Sequence, residues 1–417
     1  MSLIFEINRF GPIRKSKIEF KPLLIFSGQS NTGKSYLAFL IYYVIKHISE
    51  IELMPFINEN YSSEIKSLKS KKNITITIEP TIFNKWLNDN VDAYMKYLLN
   101  SENIDYNGKI IAKFDKFELN ISYYEELASV KNTNILSINN EGFYLQSEDS
   151  IPIIILETIS EELTKRILNT NSKQTLLLPP SKSALINFSP IIDESVGLGM
   201  YKEFLKDFTI IKERNIATEK RIPHLLKKHI ESFINNILEG KISEISKDLF
   251  YSFNNTTIPI SAAASSIKEL APFIIAINKY HPSSLSILYE EPESHLHPQM
   301  QIELAKLISI LHNYDCFFQI TTHSDLFLSQ INNLIRLNNL KTIDKKEFDK
   351  FCTKYQLTTK HTLSIKKIGA YLFKKDKKGN TNVIQQDIRN GISLDSFDNE
   401  FDNIYSQTNF LDNLLER

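Results

Sequence analysis

Between Leu23 and Tyr36 the chain reads LLIFSGQSNTGKSY, and no other stretch restricts its possible folds as much. Leu23–Phe26 is an apolar run of strand length, and the residues from Ser35 onward (YLAFLIYYVIKHI) form an apolar helix. The loop between them fits G-x-x-x-x-G-K-S, with Gly28, Gly33, Lys34 and Ser35 at the fixed places. Two glycines let the backbone curl so that its N–H groups converge on phosphate oxygens. Lys34 brings a point charge to the β- and γ-phosphates, Ser35 offers a hydroxyl to Mg²⁺, and the helix directs its positive end at the same anion. Asn31, Thr32 and Tyr36 complete the candidate nucleotide-binding set. Strand, loop and helix in this order imply an α/β fold with a P-loop at a sheet edge and ATP with Mg²⁺ as ligands.

A chain of 417 residues can bury a large core, and its 42% hydrophobic and 24% charged residues are ordinary for a globular protein. No apolar run approaches the roughly 18 residues of a membrane span. Glu6, Asn8 and Arg9 interrupt any leader-like N-terminus, and the two cysteines, Cys316 and Cys352, are read as thiols in a reducing cytoplasm. Zero formal net charge argues against bulk electrostatic attraction to nucleic acid.

Along the chain, LIFEINRF and IRKSKIEF flank Gly11–Pro12 as a hairpin, expected to cover the sheet of the P-loop strand. The Lys-rich stretch 60–72 reads as a solvated face. Residues 81–101 have helical spacing, whereas KIIAKF, KFELNISYY, GFYLQS and IPIIIL read as strands. The pattern predicts a helix over 156–168, a buried strand in TLLLPPSKSALINF (175–188), and helices over 200–239 broken near Pro223. These form a compact helical insertion, placed at 190–240, without the sustained heptads of a coiled-coil arm. Strands return over 240–260. After Lys366 a β-hairpin turns at Lys378–Gly379, and a helix follows near Asp395–Leu411, so 366–417 forms a C-terminal unit.

Two further stretches carry chemistry. SLSILYEEPESHLHP is an apolar strand that delivers Glu290 and Glu291 to its C-terminal edge, where α/β sheets bind ligands. Glu290 is expected to hold Mg²⁺ opposite Ser35, and Glu291 to polarise the water that attacks the γ-phosphate. CFFQITTHSDLFL is a second buried strand, which sets His323 beside that water. His295 and His297 lie two apart and lack further ligands, a poor metal site.

About 250 residues separate Lys34 from Glu290, far more than in compact P-loop folds. Here the sequence resembles the ABC-type "AAA" ATPases of the OLD and SMC/RecF-like group, over nearly its whole length. GQSNTGKS resembles their Walker A, ILYEEPESHLHP their Walker B with its E-P-E-x-H-L-H-P box, and ITTHS their His switch. LPPSKSALI also resembles a segment common in these proteins, with no derived role. The resemblance implies one ABC-type ATPase head over 1–417, with an N-terminal antiparallel β subdomain and a helical lid. It also implies a signature turn that faces a partner subunit's γ-phosphate. Ser265 and Ser266 are the candidates, although Ile267 replaces the glycine of transporter signatures. Gln146 is the candidate Q-loop residue.

The resemblance thus implies a cytoplasmic ATP switch that works as a homodimer or higher even oligomer. Its expected partner is a nuclease or toxin effector from its own operon, in anti-phage defence. No membrane is involved. Two alternatives stand beside it: a RecF/SMC-like DNA-repair ATPase that binds DNA, and an OLD-like nuclease. The latter would need Asp395, Asp398, Glu400 and Asp402, which lack a preceding apolar strand.

Overall fold

The computed structural model describes residues 3–126, 133–170, 172–186, 199–213, 222–245, 248–394 and 404–412. Asp395, Asp398, Glu400, Asp402 and parts of the 190–240 segment lie outside these residues.

The chain begins with β1 (Leu3–Phe10), β2 (Ile13–Glu19), β3 (Leu23–Gly28) and α1 (Lys34–Ser49). Next come α2 (Met54–Lys71), β4 (Asn73–Ile78), α3 (Pro80–Leu99), β5 (Tyr106–Ala112), β6 (Phe117–Glu126), β7 (Thr133–Ile138), β8 (Glu141–Tyr144) and α4 (Ile151–Leu163). The middle of the chain supplies β9 (Gln174–Leu178), α5 (Gly199–Glu213), α6 (His224–Leu238), β10 (Lys241–Ile245), β11 (Asp248–Phe253), β12 (Thr256–Pro259) and α7 (Ser265–Lys279). Last are β13 (Leu285–Glu290), α8 (Pro298–His312), β14 (Phe317–Thr322), α9 (Asp325–Ile343), α10 (Lys345–Tyr355), β15 (Ile368–Lys375) and β16 (Thr381–Gln385).

A nine-stranded sheet in the order β5-β1-β2-β16-β15-β3-β14-β13-β9 organises the molecule. From β15 to β9 the strands are parallel, so their C-terminal ends share one edge. β3, β9, β13 and β14 are buried at every position, as parallel strands covered on both faces must be. Their side chains Ile25, Leu177, Leu288 and Ile320 sit in the main apolar cluster. The architecture is mixed α/β, with the P-loop strand β3 near the middle of a sheet whose β15-to-β9 half is parallel.

The β1–β2 hairpin forms as expected, but it does not cover the sheet of β3. It extends that sheet, because the C-terminal hairpin β15–β16 is inserted between β2 and β3. IPIIIL is a helix start and not a strand: α4 begins at Ile151 with Pro152 in its first turn, where a missing N–H is harmless. Gln146 follows β8 of a separate four-stranded sheet, β4-β6-β7-β8, and is exposed.

The described helices of the 190–240 segment contact both the main sheet and the C-terminal part of the chain. Asp207 of α5 accepts a hydrogen bond from the Leu177 amide of β9 at 2.9 Å. On α6, the ring of His229 meets His361 at 5.5 Å. The described part of the C-terminal helix, 404–412, leaves Ile404, Tyr405, Phe410 and Leu411 exposed. Among the described residues no helix is long and apolar enough to cross a membrane.

Candidate nucleotide site at the sheet edge

The parallel strands end where the P-loop begins. Gly28 closes β3 with φ +124, and a Cβ there would stand 2.3 Å from the Phe373 carbonyl oxygen of β15, so only glycine fits. Gly33 (φ +89) and Asn31 (φ +57) are also left-handed, which curls the loop inward. Thr32 is buried and closes the turn by donating Oγ1–H to the Gln29 carbonyl at 2.7 Å. Tyr36 points away from the loop: its ring packs on Phe10 at 5.2 Å, so it offers the site its backbone amide.

Lys34 is buried and has no carboxylate partner among the described residues. Its Nζ donates to the carbonyls of Gly28 (3.1 Å) and Gln29 (2.8 Å). Burial lowers its pKa to about 8 against the opposing pull of Glu291, Glu290 and Glu293. A cation in this state gains on meeting phosphate oxygens.

The Ser35 hydroxyl lies against Glu290, the last residue of β13, close enough to lower its pKa. Glu290 is buried, and its Oε1 has no partner among the described residues. Burial raises its pKa to about 7, with Ser35 opposing. An unpartnered buried carboxylate oxygen beside a hydroxyl is a hard-oxygen donor set, and it fits a divalent cation such as Mg²⁺.

Glu291 follows in the left-handed region (φ +44), its amide bonded to the Thr321 carbonyl at 2.9 Å. Oε2 accepts from Ser294 at 3.2 Å, and Oε1 lies 3.9 Å from Nε2 of His323. Both side chains are partly open to solvent. Burial and then Lys34 hold the His323 pKa below its usual value, with Glu291 opposing. Glu291 and His323 thus face each other at 3.9 Å on the solvent-open side of the sheet edge.

Glu293 belongs to this site although sequence reasoning gave it no role. Its two oxygens accept from the His323 amide (2.6 Å) and Thr322 Oγ1 (2.9 Å), so it holds the turn carrying His323. The repeated acid in E-E-P-E was the available signal. Ser324 caps α9 by accepting from the Phe327 amide and is fixed by Gln301 at 2.6 Å. His297 caps α8.

Ser265 and Ser266 open α7, with Ser265 exposed. Among the described residues neither serine hydrogen-bonds to the P-loop. Ile267 is 8% exposed and faces the core, so its side chain does not block the tip of the helix.

The model of a family described as "AAA ATPase domain" matches residues 4–328. An "ATP/GTP phosphatase" of Helicobacter pylori is 23% identical over 357 residues, covering 79% of this chain and 87% of that protein. Among solved structures, an SMC head bound to the C-winged helix domain of ScpA is 13% identical with a TM-score of 0.40, over 93% of this chain and 97% of that one. The SMC head domain from Thermotoga maritima is 11% identical with a TM-score of 0.34, over 93% of this chain and 100% of that one. An Smc head with an extended coiled coil, bound to the C-terminal domain of ScpA derived from Pyrococcus furiosus, gives 13%, 0.37, 97% and 98% in the same order.

Proposed function

The chain belongs to the family of AAA ATPase domains and is an ATPase, and we propose that it acts as a paired switch whose ATP cycle controls another protein. The observation that carries this reading is the convergence of Lys34, Ser35–Glu290 and Glu291–His323 on one sheet edge.

In this proposal the loop amides and Lys34 bind the phosphates, with Gly28, Asn31, Thr32, Gly33 and Tyr36 shaping the cradle. Ser35 and Glu290 would hold Mg²⁺, which supplies charge neutralisation on the phosphates. Glu291 accepts the proton of the attacking water, and His323 orients it. The exposed start of α7 supports a paired arrangement, in which Ser265 and Ser266 donate to the γ-phosphate held by a second copy. A homodimer or a higher even oligomer satisfies this.

An ATPase of this kind acts through differential affinity of a partner for its two states. We assign that partner to a nuclease or toxin of the same operon, in a cytoplasmic anti-phage system; the E-P-E-x-H-L-H-P resemblance supports it. Lys374, Lys375, Lys377 and Lys378 on the β15–β16 hairpin lie at the same end of the sheet as the P-loop, and they favour DNA as a second ligand.

Mixing a Lys34→Ala chain with a Ser265→Ala/Ser266→Ala chain tests the pairing. Each is inactive alone, and the mixture recovers part of the ATP turnover. No recovery from mixed dimers shown to form would remove Ser265 and Ser266 from the site. Incubating the pure chain with plasmid DNA, linear DNA and RNA in Mg²⁺ or Mn²⁺ separates switch from nuclease, and the switch leaves all three intact.

A further inference from the structure

The LPPSKSAL segment has no part in the nucleotide site, yet it adjoins it. β9 pairs with β13 so that Leu178 lies opposite Tyr289, and the chain then turns through Ser181 in the left-handed region. Lys182 comes next, 1% exposed. Its Nζ sits 2.9 Å from Glu269 Oε2 and 4.8 Å from the centre of the Tyr289 ring, with the Pro179 carbonyl at 3.4 Å. Glu269 Oε1 accepts from the Ser183 amide at 3.2 Å. The next residue after Tyr289 is Glu290, so the ammonium lies between the end of β13 and the first turns of α7.

Two features make this contact more than packing. A buried ion pair is often no more stable than two apolar side chains filling the same space, so its stability alone does not explain it. In addition, α7 contains Pro272. Proline has no N–H to give the carbonyl four residues earlier, that of Lys268, and its ring crowds that carbonyl. The turn bearing Ser265 and Ser266 is therefore joined to the rest of α7 by one hydrogen bond fewer. Glu269 lies four residues after Ser265, on the same helix face and on the near side of the proline.

We propose that Lys182 is a positioning residue that grips the Ser265–Glu269 turn through Glu269 and couples its placement to the charge at Glu290. While Glu290 is uncompensated, its field and that of Glu293 compete with Glu269 for the ammonium. Neutralising Glu290 shifts that balance toward Glu269 and fixes the start of α7 in register with the loaded site. This deepens the ATPase reading and rests on it.

Hydrogen–deuterium exchange over 265–271 is the test, run with and without Mg²⁺·ATP in a Glu291→Gln background that keeps nucleotide bound. The parent shows ATP-dependent protection of this turn of at least tenfold. Lys182→Met, and the double variant Lys182→Met/Glu269→Met that leaves no unpaired charge, bind a fluorescent ATP analogue within about threefold of the parent and lose the protection. Lys182→Arg restores most of it. In the otherwise wild-type chain, the same substitutions lower turnover at saturating ATP about tenfold or more. Absence of protection in the parent overturns the proposal without need of any variant. So does full protection in a folded double variant. Loss of ATP affinity in Lys182→Met as severe as in Lys34→Ala would make Lys182 a phosphate ligand instead. If the wild-type chain neither bound nor hydrolysed ATP, the ATPase reading itself would fail, which is a separate result.

Discussion

Two lysines on one helix show how the same side chain serves a ligand or the fold. Lys34 and Lys46 are both buried on α1, about 18 Å apart at 1.5 Å per residue. Lys34 has backbone carbonyls for partners, and burial brings its pKa down to about 8. Lys46 has Asp207 at 2.6 Å, Glu203 at 2.9 Å, Glu50 at 3.5 Å and Glu52 at 3.7 Å. Burial opposes its charge too, but Asp207, Tyr42, Glu50 and Glu203 outweigh it and raise the pKa. Asp207 also accepts from Tyr42 and from the Leu177 amide, so this cluster ties α1, α5 and β9 into one block. One end of the helix leaves polar capacity for a ligand; the other has used its own.

Substitutions can break or sharpen this contrast. The largest effect belongs to the ligand end: Glu291→Gln should lower ATP turnover by about 10²–10⁴-fold, the usual scale for a general base, while ATP binding persists. Normal turnover in this variant, with loss in Glu290→Gln, would reverse the roles of the two acids. At the structural end, Lys46→Met leaves several buried carboxylates without their cation and should lower unfolding free energy by about 3–5 kcal/mol in denaturant titration. Lys34→Met should weaken ATP binding by about ten- to a hundredfold, the scale of one charge-assisted bond, while stability changes little. Equal stability losses at Lys34 and Lys46 would erase the distinction.

The last test is a pH difference at His47, beside Lys46. Burial pushes its pKa down to about 4, with the hydrogen bond to the Tyr43 carbonyl opposing. Below pH 6.5 the unfolded chain takes a proton that the native ring refuses, so stability falls as pH drops from 6.5 to 4 and levels off below that. His47→Phe, which preserves the ring contacts with Tyr43 and Tyr94, should remove about 2–3 kcal/mol of this acid loss. Parallel pH profiles for the two chains would mean that His47 is protonated in the native state.

The strands and turns that carry nucleotide chemistry were legible because their local signals agree. β3, β13 and β14 are short apolar runs that end in glycine, acid or histidine, and the buried parallel strands match them. Where one signal fits two structures, sequence reasoning failed. IPIIIL has no periodicity to separate a strand from a buried helix, and its proline decides only once it is seen in a first turn. The place of β1–β2 in the sheet was illegible for another reason: its neighbour β16 comes from more than 350 residues later, and pairing at that distance has no local mark. Glu293 and Lys182 act through backbone amides and a buried carboxylate supplied by distant turns, so their partners appear only when the sheet edge is assembled.

The insertion of β15 beside β3 has a consequence for how the protein is made. β3 leaves the ribosome about 290 residues before the first of its two neighbours, β14 and β15, which are residues 317–322 and 368–375. Both pairings close very long loops, which slows folding and keeps an apolar strand waiting with open edges. The Phe373 carbonyl that abuts Gly28 arrives after both β3 and β14. A nascent chain should therefore acquire ATP affinity in a late step, after residue 375 has emerged, and until then β3 is the segment most in need of a chaperone.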